Sequence, residues 1–296
     1  MYRASCVAVL TAGSLLISAV APSRAEVPGG HASGAVPESV LEGQRASLTQ
    51  AAVAANAGPQ SPRDLANTNG ANKIVFSAAP SRAEMNLCNI HFHEAAEHRG
   101  GEFTTYVGNG DGRGYGSGYR YNGKLSSAEL KPLSEKVGLT QHGELLPGST
   151  IEIHFVHSTA HVKPGPTLAA CLSKENGNPQ LRVEAVVAVL VNDRSAANFE
   201  DMARIAVVNG YSAAPNIPDS LGRPVVYSGS TTGPSYNLVP SPLQVTWSVR
   251  PKVVKVDILS VAKWLHANPF KEDHAHGVRN LVLDPALLSR IQAADR

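Results

Sequence analysis

The chain has 296 residues, 43% hydrophobic and 17% charged, with a formal net charge of +2. That length allows one large domain or two small ones, with apolar residues enough for a sizeable core. The near-balanced charge, with no basic run interleaved with aromatics, excludes a nucleic-acid-binding surface of the usual kind.

Residues 1–25 read as an export signal. Arg3 gives a short positive start, "CVAVLTAGSLLISAVA" an apolar run, and "SRAEV" a small-residue cleavage site ending at Ala25. The apolar run is shorter than the ~20 residues that a membrane span needs. The expectation is therefore a periplasmic or secreted protein, with no membrane anchor after cleavage. Export also governs the cysteines. Cys6 leaves with the signal, and Cys88 and Cys171 are expected to form a disulfide in an oxidising compartment.

Residues 26–58, rich in Ala, Gly and Ser, read as a flexible N-terminal arm containing a short helix around 38–55. A single folded domain is expected over 59–296. Within it "NKIVFSA", "NLCNIHFH", "STIEIHFVHS", "LRVEAVVAVLV", "LQVTWSVR" and "KVVKVDI" read as strands, being β-branched, alternating or wholly apolar runs between turn residues. Helical spacing is sparse. It occurs in "SSAELKPLSEKVG" (126–138), interrupted by Pro132, in "AANFEDMARIAVV" (196–208) and in "DILSVAKWLHAN" (257–268). The Gly/Tyr-rich stretch 108–124 is a loop without the Lys-Ser/Thr that would make it a phosphate cradle. The sum is a β-dominated α+β domain, a large, central, mostly antiparallel twisted sheet with few peripheral helices.

The chemistry concentrates in "CNIHFHEAAEH" (88–98). On a strand, residues two apart share a face, so His91 and His93 project side by side and can converge on one ion. A third ligand must come from a neighbouring strand. "IEIHFVHS" offers His154 and His157, which are three apart, face opposite ways and so cannot both join. Glu152 shares the face of His154 and can accept its second ring N–H; Asn89 can do the same for His91. Three neutral histidines with one open position is the ligand pattern of a catalytic zinc, whereas structural zinc sites are closed. Such an ion lowers the pKa of its water from 15.7 to about 7.

At these residues the chain resembles carbonic anhydrases. "NIHFH" is similar to the alpha-class strand carrying the first two zinc histidines, and "EIHFVHS" to its partner strand. "YSGSTTGP" (227–234), "VTW" (245–247) and "QSPRDL" (60–65) resemble further alpha-class segments, in the same order. The "CNIHFH" wording resembles the delta class most. The resemblance implies an alpha-carbonic-anhydrase-like fold and reversible hydration of carbon dioxide to bicarbonate and a proton by zinc-bound hydroxide. It implies Zn2+ on His91, His93 and His154, with His157 facing away. Thr232 would orient the attacking oxygen and Glu97 would accept from Thr232. Val156, Val245 and Trp247 would line an apolar pocket for CO2, with another wall from the 183–191 strand. Departures are an insertion over 99–150 with no role assigned, and Ala71 near the place of the usual proton-shuttle histidine. His98, His142 and His161 stand as substitutes or as surface histidines, and "HAH" (274–276) reads as a solvated loop.

Two rivals share the histidines. A cupin-type metalloprotein would use His91, His93, Glu97 and His154 around iron, manganese or zinc. A periplasmic zinc-binding protein without catalysis would need neither Thr232 nor an apolar pocket. A cupin gives no reason for "YSGSTTGP" before "VTW" or for Glu152 beside His154.

Overall fold

The computed structural model describes residues 34–291, so the export signal expected over 1–25 lies outside the described residues. The chain opens with helix α1 (Glu38–Ala54). Strands β1 (Asn86–Glu94), β2 (Thr105–Asn109), β3 (Ser117–Arg120), β4 (Val137–Thr140), β5 (Gly143–Leu145), β6 (Thr150–Ser158) and β7 (Leu181–Val191) follow. After helix α2 (Phe199–Met202) come β8 (Ala206–Val208), β9 (Tyr211–Ala213), β10 (Val225–Ser230), β11 (Gln244–Val249), β12 (Val254–Asp257) and helix α3 (Ile258–His266).

The central sheet runs β1-β6-β7-β11-β10, with β12 also pairing with β7. β1, β6 and β7 are antiparallel neighbours, as are β10 and β11. β11 and β12 both lie parallel to β7, along its first and second halves. The sheet is thus mixed, with antiparallel pairing prevailing. From Ala185 to Val191 β7 is an unbroken apolar run because both its faces are covered. Val186, Ala188 and Leu190 join one core with Phe92, Phe155, Phe199 and Trp264, capped by α2 and α3. Val183, Ala185 and Val187 join a second core with Val156, Val245, Trp247 and the cystine. Cys88 and Cys171 are disulfide-bonded, tying β1 to the segment that precedes β7. Helix α3 starts where the Asp257 carboxylate accepts the Leu259 amide and buries Ile258, Val261, Trp264 and Leu265 against the sheet.

Helix α1 forms where a short helix was expected around 38–55, and it packs Leu48 and Ala52 on Val282, Leu287 and Leu288. Three local expectations are corrected. "NKIVFSA" forms no strand. Val75 is 89% exposed, and no neighbouring strand takes up the backbone there. No helix forms over 126–138, where turns lead past Pro132 into β4. In 196–208 only Phe199–Met202 is helical, and the chain then turns into the β8–β9 hairpin.

Candidate active site

The site lies on the sheet face that the helices leave open. β1 and β6 pair so that His91 stands opposite His154 and His93 opposite Glu152. Strand alternation turns Ile90 and Phe92 into the helix-side core and leaves both histidines on the other face. The ring centroids of His91, His93 and His154 lie 4.8–5.3 Å apart. One ligand nitrogen from each falls within 4.8 Å of the others. His157 faces the opposite side of β6 and donates from Nδ1 to its own strand at the Phe155 carbonyl, 3.0 Å away.

Each of the three imidazoles is held from behind. His91 Nδ1 donates to Asn89 Oδ1 at 2.6 Å, His93 Nδ1 to the Gly277 carbonyl at 2.9 Å, and His154 Nε2 to Glu152 Oε1 at 2.9 Å. Those acceptors fix the tautomers and leave His91 Nε2, His93 Nε2 and His154 Nδ1 without protons. His91 Nε2 and His154 Nδ1 then face each other at 3.3 Å as two lone pairs. Burial, reinforced by the neighbouring His154 and His93, pushes His91 well below the usual histidine range. Burial likewise lowers His93 to about 4, against the pull of Glu97. Neutral rings with converging lone pairs and no donor between them suit a cation. The donor set therefore fits a divalent metal with a position left for solvent.

Behind this tripod runs a buried polar chain that the sequence did not reveal. His98, fully buried, gives its amide to Glu152 Oε2 at 3.1 Å and Nδ1 to Glu152 Oε1 at 2.6 Å. Its Nε2 lies 2.7 Å from the Tyr227 hydroxyl, which donates to Ser61 Oγ at 3.0 Å. Ser61 Oγ also accepts the Ser230 amide, and Gln60 Oε1 accepts Ser230 Oγ and the Ser241 amide. "QSPRDL" is thus the buckle of the "YSGSTTGP" segment. Arg63 completes it, wholly buried, with its guanidinium 5.3 Å over the Tyr227 ring and bonds to the Asn67, Asn69 and Ser289 carbonyls.

A cavity of about 30 Å³ opens on the histidines, with Val156, Trp247 and Thr232 in its wall beside Leu168, Val183 and Arg279. Val245 is not part of that wall. It is fully buried in the core beneath, two residues from Trp247 and on the same face of β11. Glu97 lines the cavity, yet no hydrogen bond joins it to Thr232 among the described residues. Its Oε1 accepts the Arg279 amide at 2.8 Å and lies 3.5 Å from His93 Nδ1. Arg279 donates from Nη1 to the Thr231 carbonyl at 2.6 Å and so holds the threonine pair in place.

"HAH" is not a solvated loop. The His276 amide donates to the Phe92 carbonyl and its carbonyl accepts the Glu94 amide, so the segment runs beside the end of β1. The His276 ring stands 5.6 Å from that of His91 and bonds Glu272 through Nε2 at 2.6 Å. Burial lowers its pKa, but the Glu272 hydrogen bond and charge outweigh this and raise it. His98 is no surface group, and His142 stacks on Tyr115 with centroids 3.8 Å apart, away from the cavity.

The family model described as delta carbonic anhydrase matches residues 82–260. No curated protein sequence matches the chain. Among solved structures, an alpha-carbonic anhydrase from Photobacterium profundum is similar at 16% identity over 75% of this chain and 86% of its own, with TM-score 0.26. One from Thermovibrio ammonificans, in complex with the inhibitor sulfanilamide, shares 17% identity over 72% and 82%, with TM-score 0.24. A carbonic anhydrase from Chlamydomonas reinhardtii in complex with acetazolamide shares 18% over 81% and 91%, with TM-score 0.27. Family membership rests on the sequence match, which spans both histidine strands and the threonine segment.

Proposed function

The chain belongs to the delta carbonic anhydrase family, and from that premise we propose that it interconverts carbon dioxide and bicarbonate at the His91, His93 and His154 cavity, with zinc as the bound ion. The observation that carries this reading is the tautomer pattern, since each ring spends one nitrogen on a fixed acceptor and turns the other, unprotonated, inward. A zinc ion held there supplies Lewis acidity, making a coordinated water acidic enough to act as a nucleophile near pH 7. Three neutral ligands leave the ion's full charge for that purpose.

The chain's own residues do the rest. Glu152 and Asn89 keep the rings in register and in one tautomer. Val156, Val183 and Trp247 offer a dry concave wall to a substrate that carries no charge and no net dipole. Thr232, in the same wall, presents a hydroxyl that can accept a hydrogen bond from the attacking oxygen and fix its direction. Glu97 holds the Arg279 backbone, and Arg279 holds Thr231, so the carboxylate steadies the threonine segment through Arg279. The Cys88–Cys171 disulfide supports an oxidising compartment, and with it the periplasmic or secreted location.

The cupin arrangement is disfavoured by Glu97, which approaches His93 from its outer nitrogen, not from the side where the three free nitrogens meet. The test is CO2 hydration followed by pH change, with and without chelator and with zinc restored. Activity should vanish on stripping and return with zinc. Thr232→Ala should keep the zinc and slow hydration by about 10²-fold or more. Near-stoichiometric zinc with no hydration would leave the non-catalytic binder as the better reading.

A further inference from the structure

The pairing of β1 with β6 passes over Cys88, since Leu87 stands opposite His157 and Asn89 opposite Val156. Such a β-bulge re-aims the side chains around it. Leu87 and Ile90 both face the helix-side core, while Cys88 joins the second core and Asn89 turns to His91. The Cys88 carbonyl accepts the Gly165 amide at 3.0 Å. Gly165 lies in the segment 159–180, which joins β6 to β7. Its own carbonyl accepts Asn89 Nδ2 at 3.1 Å, while Asn89 Oδ1 accepts His91 Nδ1 at 2.6 Å.

A side-chain amide has one donor end and one acceptor end. With its donor end spent on the Gly165 carbonyl, Asn89 can offer His91 only the oxygen. A flipped amide would set N–H groups against His91 Nδ1 and favour the tautomer protonated at Nε2, the nitrogen that faces the ion. The Gly165 carbonyl therefore selects the Asn89 orientation, and through it the His91 tautomer. Gly165 itself sits on an open stretch, where Lys163, Pro166, Thr167 and Ala169 are exposed. Cys171 pins that stretch, being fully buried, disulfide-bonded to Cys88 and held at its carbonyl by Ser158 Oγ at 2.7 Å. Cys88 thus grips the segment twice, by its carbonyl at Gly165 and by its sulfur at Cys171. Leu168, between the two anchors, reaches the wall of the candidate active site.

We propose that the 159–172 segment, latched to the Cys88 bulge by the disulfide, is a positioning element for the metal ligand His91, acting through the Gly165 carbonyl and Asn89. It rests on the reading that His91, His93 and His154 hold zinc, and not on carbon dioxide being the substrate.

Zinc affinity, measured by competition against a chromophoric chelator, tests this in a double-mutant cycle. Asn89→Ala should weaken zinc binding about 10–100-fold. Cys88→Ala with Cys171→Ala should weaken it about 3–10-fold, a part of the loss that removing the outer partner outright causes. In the Asn89→Ala background the same cysteine pair should cost less than about two-fold more. An equal loss in both backgrounds would make the disulfide a general staple and overturn the proposal, as would no loss in either. Amide exchange needs no cysteine variant. By reciprocity, saturating zinc should slow deuterium uptake over 159–172 in the wild type and not in Asn89→Ala. Bound zinc that leaves this uptake unchanged, or slows it equally in Asn89→Ala, overturns the coupling while the functional reading stands. Coupling as described in a protein that hydrates no CO2 keeps the positioning element and loses the functional reading. A protein that takes up no zinc overturns both.

Discussion

Replacing Glu152 by Gln tests the buried frame behind the metal tripod. The carboxylate is wholly buried and takes three N–H groups, at 3.1 Å from the His98 amide, 2.6 Å from His98 Nδ1 and 2.9 Å from His154 Nε2. Burial pushes its pKa up, but the adjoining His98 and the hydrogen bond from His154 outweigh this and hold it well below the usual carboxylate range. Every partner is a donor, so an amide cannot satisfy them all. The better orientation leaves the amide oxygen on the two imidazoles and turns NH2 against the His98 amide. One charge-assisted bond is lost, about 1.5–3 kcal/mol, and the other two weaken because the acceptor is no longer charged. The net loss of stability should be about 2–4 kcal/mol. The His154 tautomer is held less firmly too, and removing such an outer partner typically lowers metal affinity about 10–100-fold. Urea unfolding measures the first effect, and zinc competition against a chromophoric chelator the second. A variant within about 0.5 kcal/mol of wild type, with unchanged zinc affinity, would refute the frame.

The two histidines of β6 separate by face. His154→Ala should lose zinc and CO2 hydration together. His157→Ala should keep both and cost only stability, about 1–3 kcal/mol from its buried bond to Phe155; the reverse outcome would show that the wrong face was chosen. Acid should unfold the metal-free protein in a defined window. Burial lowers both His93 and His157 from 6.5 to about 4. Between those values the unfolded chain binds more protons, so stability is present above pH 6.5 and is lost as pH falls toward 4, by at most about 3 kcal/mol per histidine. Denaturant midpoints at pH 7 and pH 5 measure this, and equal midpoints would contradict neutral buried rings.

Much of the site was legible because strand alternation is local. Two residues apart on a strand means one face, which pairs His91 with His93 and Glu152 with His154, and three apart means opposite faces, which separates His154 from His157. Counting the cysteines that lie outside the expected signal segment paired Cys88 with Cys171, which are disulfide-bonded. What failed was decided at long range. "NKIVFSA" has strand composition, but strand composition without an edge to pair with leaves Val75 in solvent. Val245 shares a face of β11 with Trp247, yet only the closure of the folded core decides that Trp247 reaches the cavity and Val245 does not.

The sequence by itself determined the β-dominated class, the two histidine strands and the face each histidine takes, because these follow from periodicity within a few residues. Only the tertiary structure decided what lies behind and around them. Glu97 meets an amide 182 residues later, at Arg279. His98 closes on Tyr227 and through it on Ser61. His276 returns from beyond α3 to the mouth of the site. Such contacts arise from how the sheet and its crossing loops close, and a buried polar group takes whichever partner that closure brings within hydrogen-bond reach.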